Sequence, residues 1–333
     1  MKDINPAVLN QQFMQKLAAG DQKGAAEAGT EFTRLTLREE GLLRKVLPPK
    51  TITPAQLDKQ IDTDKPVKIL DKEVSQPLSI SVPFGTLPVN QYIRGGRYRV
   101  DFARLLTPNY VKDIIELGQY DYDIREIFKD NAIKDHMTAE DVPFFNLIKA
   151  VVLTGSTSTP SVPVGNQAST MTGKVQYYDF SIAGGNPLGY VGFSRDSVVE
   201  SFKITTKGFG DPTVSTPIRL QTDLAVMNVN TGLEFVKLLP TEIGERLADK
   251  MATGGLVEDT FFGRRFLFTI KDDVIPDGYM YMFPKPQFLG AFFELESPTM
   301  FIENRAFLLE FFLYSCLGCS IGNAFGLAIT RFF

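Results

Sequence analysis

A block of helical periodicity with strand-like sequence on both sides constrains this chain more than anything else in it. Thr107-Pro108 offers a hydroxyl cap followed by proline at the first helical position. Apolar residues then recur at helical spacing: Tyr110, Val111, Ile114, Ile115 and Leu117, then Tyr120, Ile124, Ile127 and Phe128. Thr138-Ala139-Glu140-Asp141 has the form of a second capping box, ahead of Phe144, Phe145, Leu147, Ile148, Val151 and Val152. Pro143 falls inside this last piece, so the helix is expected either to start afresh at Asp141 or to kink there. Thr107 to Leu153 therefore reads as a largely helical spine.

Upstream, residues Met1 to Gly29 are rich in Ala, Gln and Gly and carry few large apolar residues beyond Leu9, Phe13 and Leu17, the pattern of a loose or weakly helical arm. From Thr30 to Leu47 an amphipathic helix is expected, with Phe32, Leu35, Leu42, Leu43 and Val46 on one face and Arg34, Arg38, Glu39, Glu40 and Arg44 mostly elsewhere. Pro48-Pro49 ends it. The arm is expected to be peripheral to the core and to need a surface of its own chain or of a neighbour. Alternation of period two follows: Leu78, Ile80, Val82 and Phe84, then Tyr98, Val100 and Phe102, with Gly85, Pro88, Gly95 and Gly96 between them. This predicts a long two-stranded ribbon, which is marginal in water unless it packs against another surface.

Beyond the spine, Thr154 to Gly173 is an uncharged run of Thr, Ser, Pro and Gly that reads as a loop. From Tyr177 onward the sequence is mostly strand-like. An x-Pro-Asp-Gly-x turn at Ile275 to Tyr279 separates expected strands at Arg264 to Ile270 and Tyr279 to Phe283, and a helix is expected around Pro240 to Met251. The fold class is α+β, without an internal repeat. A chain of 333 residues with 44% hydrophobic and 22% charged content can bury a sizeable core. A net charge of −4 argues against a dedicated nucleic-acid binder, and two cysteines cannot build a disulfide framework, which points to a reducing compartment. Met1 to Gly20 lacks the apolar run of a signal peptide.

The motifs with chemical meaning mostly exclude their chemistry. Gly318-Cys319-Ser320-Ile321-Gly322 matches the nucleophile elbow of α/β-hydrolases, but no Asp, Glu or His follows Ser320, and the one histidine is His136. Cys316 and Cys319 form a C-x-x-C pair that lacks the further ligands zinc needs, so buried inert thiols on a strand are expected. Phe311 to Thr330 is twenty residues without a charge, with glycine at 318, 322 and 326; it reads as a buried strand pair with a glycine-marked turn or as a packed membrane helix. Gly173-Lys174 and Gly208-Phe209-Gly210 lack the remaining residues of phosphate-binding loops. Asp121, Asp123, Glu39 and Glu40 lie beside basic residues on expected helices and read as a solvated face or a subunit contact. His136, in a charged and polar stretch, is expected at the surface.

In this order of elements the chain resembles the major capsid proteins of tailed bacteriophages, with the Hong Kong ninety-seven type fold. Thr30 to Pro49 resembles their N-terminal arm helix, Thr107 to Asp130 the start of their spine helix, Gly263 to Phe293 the strand pair closing their axial domain, and Phe301 to Phe333 their C-terminal return into the peripheral domain. The resemblance implies an arm over residues 1–66, an extended β-ribbon (E-loop) over 67–106, and a spine helix and peripheral domain over 107–195, completed by 297–333. It implies an axial domain over 196–296. It also implies a structural, non-enzymatic subunit without cofactor or metal, assembling with itself as hexamers and pentamers into an icosahedral shell around double-stranded DNA. Further partners would be scaffolding, portal and decoration proteins and, non-specifically, the packaged DNA; no membrane is implied. Its place would be the virion capsid, assembled in the host cytoplasm. Candidate inter-subunit charges are Glu39, Glu40 and Arg44 in the arm helix and Arg94, Arg97 and Arg99 in the ribbon. No cleavage site or crosslinking pair is matched. Encapsulin compartments share the fold, and the longer arm helix ending in Pro-Pro favours the phage reading.

Overall fold

The computed structural model describes residues 11–16, 19, 21–59, 64–72, 84, 96–117, 124–153, 177–181, 190–206, 220–237, 258–261, 263–322 and 326–333. The expected strand Leu78–Val82, the loop 154–173 and the helix 240–251 lie outside these residues. Two compact units emerge: Met1–Lys68 with Asp101–Phe144 and Phe292–Cys319, and Ile69–Val100 with Phe145–Ala291 and Ser320–Phe333.

In the first unit, Asp21 starts helix α1 (Gln22–Glu40), its carboxylate accepting from the Gly24 amide at 3.0 Å. The arm is therefore helical well before Thr30. Gly41, with extended backbone (φ −66°, ψ 123°), separates α1 from α2 (Leu42–Val46). The arm is also not peripheral. Phe13, fully buried, packs with Ala25 and Ala28 against Met300, Ile302, Leu309, Phe311 and Leu313. The approach is close enough that a Cβ on Gly29 would lie 2.8 Å from the Met300 sulfur. Leu42, Leu43, Val46 and Leu47 are buried as well.

The sheet beneath runs β1 (Lys50–Thr51), β10 (Gly290–Arg305), β11 (Leu308–Ile321), β3 (Gly96–Leu106) and β2 (Val67–Lys72), with β4 (Tyr110–Asp113) also on β11. Odd-numbered Leu309, Phe311 and Leu313 face the arm, as the strand period requires. Tyr314 pairs with Leu106 and Phe311 with Tyr110, so three residues, Thr107 to Asn109, stand opposite two. This is a β-bulge. Thr107 does not cap a helix: its hydroxyl accepts from the Leu313 amide at 2.9 Å, and its own amide donates to the Leu313 carbonyl at 2.9 Å. Pro108, which has no N–H to give, sits where a ladder bond is already interrupted.

The long helix α3 is Ile124–Leu153 and runs unbroken through Pro143. Thr138 caps nothing; its hydroxyl donates to the Lys134 carbonyl at 3.0 Å in mid-helix. Proline inside a helix costs about 3 kcal/mol, and here burial of Phe144, Phe145, Leu147, Ile148, Val151 and Val152 offsets it.

The second unit is built on a sheet of order β5 (Tyr177–Asp179), β12 (Ala328–Arg331), β9 (Tyr279–Phe283), β6 (Leu224–Asn228), β8 (Arg264–Thr269) and β7 (Glu258–Phe261). The apolar run of β6 is buried at every position, so it takes the centre and separates β8 from β9. The Pro-Asp-Gly turn forms as expected, with Gly278 at φ 81° and the Tyr279 amide donating to the Pro276 carbonyl at 3.3 Å. Helix α4 (Arg195–Thr206) begins with Ser194 and Ser197 bonded reciprocally and packs Val198 into a core of Phe180, Phe235, Phe266, Phe268 and Phe332. On the other face Phe145 meets Tyr281 and Phe283 edge-on, at 5.5 and 6.1 Å.

The uncharged stretch 311–330 is thus two strands, β11 and β12, and they belong to different sheets rather than pairing with each other. No helix among the described residues is long and apolar enough to cross a membrane.

Candidate assembly site

Helix periodicity places Lys129, Ala132, Ile133, His136, Met137, Glu140, Asp141 and Phe144 on one stripe of α3, and all of them are buried. His136 is therefore not at the surface. It is 1% exposed, and its Nε2 lies 2.9 Å from Ser315 Oγ and 3.3 Å from Glu140 Oε1. Its charged sequence neighbours point off the other faces of the helix.

Glu140 is the centre of a larger cluster. Arg44 on α2 donates Nε and Nη2 to its two oxygens, both at 2.8 Å, and Nη1 to Glu294 Oε1 at 2.6 Å. Ser297 donates to the second oxygen of Glu294 at 3.3 Å, and the guanidinium lies 5.7 Å from the centre of the Phe292 ring. Burial pushes the Glu140 carboxyl up, but the hydrogen bonds and charge of Arg44, aided by His136, outweigh it and hold Glu140 below the usual glutamate range. Burial works against the charged Arg44 too, and its two carboxylates raise it in spite of that. Next to Glu140, Asp141 accepts from the amides of Leu43 at 2.8 Å and Leu42 at 3.4 Å. The carboxylate expected to open a helix within the spine instead caps α2, far away in sequence.

A second attachment of arm to spine is cationic. Lys129, 1% exposed, places Nζ 3.9 Å from the centre of the Phe32 ring and 5.4 Å from that of Phe13.

The expected inter-subunit charges fall into three groups. Arg44 is turned inward, 8% exposed and bonded to Glu140 and Glu294 of its own chain. Its helix buries Leu42, Leu43 and Val46 along with it. Glu39 and Glu40 end α1, their side chains lying outside the described structure, as does the whole of Arg94. Arg97 and Arg99 are exposed on β3, and Arg97 Nε pairs with Asp71 on β2 at 3.1 Å. An ion pair as exposed as that one contributes little. Phe84 is fully exposed.

Ser320 lies within β11, wholly buried, and not on a strand-to-helix elbow. Cys316 and Cys319 are three apart on the same strand and so face opposite ways. Burial, with Glu140 nearby, pushes the Cys319 thiol up to about 12, and burial raises Cys316 too. Neither is a thiolate near neutral pH.

No family model and no curated protein matches the sequence. Solved structures do match. The capsid of the cyanophage P-SCSP1u aligns with a TM-score of 0.54 at 10% identity, over 86% of each chain. The capsid of the native GTA particle aligns at 0.52 and 13% identity, over 87% of this chain and 89% of that one. The capsid of Ralstonia phage GP4 aligns at 0.51 and 11% identity, over 86% and 87%. At such identities the likeness is one of fold, and the fold of this chain is that of the tailed-phage major capsid proteins.

Proposed function

We propose that this chain is a shell subunit, with copies associating as hexamers and pentamers into an icosahedral capsid that encloses double-stranded DNA. The observation that carries the reading is the likeness in fold to capsid subunits over nearly the full length of both chains. Within it, residues 1–66 act as the arm and the β2–β3 ribbon of 67–106 as the extended loop. The spine helix and peripheral domain are 107–195 with 297–333, and 196–296 is the axial domain. A two-stranded ribbon is marginal in water without cover, and a neighbouring copy would supply it. Arg94, Arg97 and Arg99 are the charges we place at that contact, with Glu39 and Glu40 as candidates on the arm. The role is structural rather than catalytic. Scaffolding, portal and decoration proteins are the further partners, contact with packaged DNA is non-specific, and the location is the virion capsid, assembled in the host cytoplasm.

The test is expression of the chain alone without detergent, followed by sedimentation and light scattering. Particles of many subunits are expected. A monomer at every salt and protein concentration would overturn the reading. In particles from the native source, nuclease-protected DNA is expected; enclosed protein without DNA would assign the shell to the encapsulin-like cellular class instead.

A further inference from the structure

The sheet of the second unit has two unlike ends. β6 and β8 run parallel and β9 antiparallel to them, so Asn228, Thr269 and Tyr279 close one end, and Asp223, Arg264 and Phe283 the other. At the first end the chain is pinned to itself. The Val274 and Ile275 amides donate to the Lys271 carbonyl at 3.2 and 3.0 Å, and Asn228 donates to the Ile275 carbonyl at 3.2 Å and to Asp272. Thr231 donates its hydroxyl to Asp277 and accepts from the Gly278 amide, both at 2.7 Å. This rigid end nonetheless shows apolar side chains to solvent. Ile270, directly after β8, is 83% exposed, and Leu233 and Phe333 are exposed at the same end. Exposed apolar residues on a surface already held in one shape are suited to a partner, because little is left to order on contact. The charge around them is negative: Asp272, Asp273 and Asp277 are exposed and outnumber Lys271, while Glu234 pairs with Lys237 and Asp179 with Arg331. The far end, about 20 Å away along β8, has the opposite sign. Arg264, Arg265 and the exposed Lys285, two residues past β9, stand there against Asp223.

We propose that these two ends mate between copies: the acidic, apolar end of one second unit seats on the basic end of the next. The arginine and lysine stems cover Ile270 and Leu233 while their charged heads reach the aspartates. The partner is a second copy of this chain because both halves of the complementary pair lie on every copy. Contact between unlike surfaces is head-to-tail, so it repeats from copy to copy and closes into a ring when the rotation allows. The role of such a ring in a shell rests on the function proposed above; the contact itself is read from the two ends.

The test reverses one exposed charge at each end of the full chain, Asp273→Lys and Lys285→Glu, singly and together. Self-association is followed by sedimentation and light scattering at low and high salt, with circular dichroism to confirm the fold. Each single reversal is expected to weaken association at least tenfold at low salt, and the double variant, its charges exchanged, to regain most of the loss. Ile270→Ser should weaken association at both salt concentrations. Parent-like association of both single reversals, or a double variant weaker than either, would overturn the proposal and leave the shell reading standing. Should a reversal fail to fold, Asp273→Asn and Lys285→Gln decide in the same way, by a smaller loss or by none. A parent that stays monomeric at every concentration would overturn the shell reading and this contact together.

Discussion

Truncating Arg44 would leave two carboxylates, those of Glu140 and Glu294, in a place where water does not reach them freely. Breaking a buried ion pair from one side costs about 3–5 kcal/mol, so Arg44→Ala should lower the unfolding free energy by that order in a urea titration. The acid limb of stability tests the same cluster. Glu140 is held below its ordinary value in the folded chain, so its contribution is complete above the glutamate range and is lost as pH falls through the depressed value. The urea midpoint should be flat above about pH 5 and fall below about pH 4. In Arg44→Ala burial is left to push Glu140 up, so its share of the acid fall should shrink or reverse, stability being regained on protonation; an acid limb identical to the parent's would detach Glu140 from Arg44. At Gly29 the space decides: a methyl would press on the Met300 sulfur and the Phe13 ring, so Gly29→Ala should cost about 1–3 kcal/mol, the usual range for overpacking.

Between elements, α2 borrows its cap from α3. Asp141→Ala should therefore destabilise by about 1 kcal/mol, with hydrogen exchange rising at the amides of Leu42 and Leu43 although nothing on α2 is mutated. Deletion of residues 1–49 removes Phe13, Ala25, Ala28, Leu42, Leu43, Val46 and Arg44 from the first unit. The truncated chain should lose cooperative unfolding rather than remain folded and merely fail to assemble, which circular dichroism during a thermal melt would show. These two features also mark where the sequence stopped being legible. The Thr138–Asp141 pattern is a sound capping box by spacing, but a capping carboxylate serves whichever amides face it, and no spacing rule says that they lie on α2. Thr107-Pro108 is a good helix start, yet pairing of both flanking segments with β11 made it a bulge. The Lys129–His136–Glu140 stripe was available at spacings of seven and four; it is missed when only apolar residues are counted toward a buried face.

At the level of the whole chain, the order of elements was readable because period two and period 3.6 follow from burial of one face, whatever the neighbours. The strands at Arg264 and Tyr279, their turn at Gly278, and the long helix through Phe144 all formed on that basis. Sheet order was not readable: β6 lies between β8 and β9, and β11 and β12 went to separate sheets, because pairing is chosen by long-range contacts. The most direct measurement is a cryo-electron-microscopy reconstruction of the particles formed by the chain expressed alone. Rings of five and six copies closing into a shell, with the β2–β3 ribbon of one copy lying on its neighbour, are predicted. An open filament, a small closed oligomer, or rings whose ribbons touch no neighbour would contradict the account.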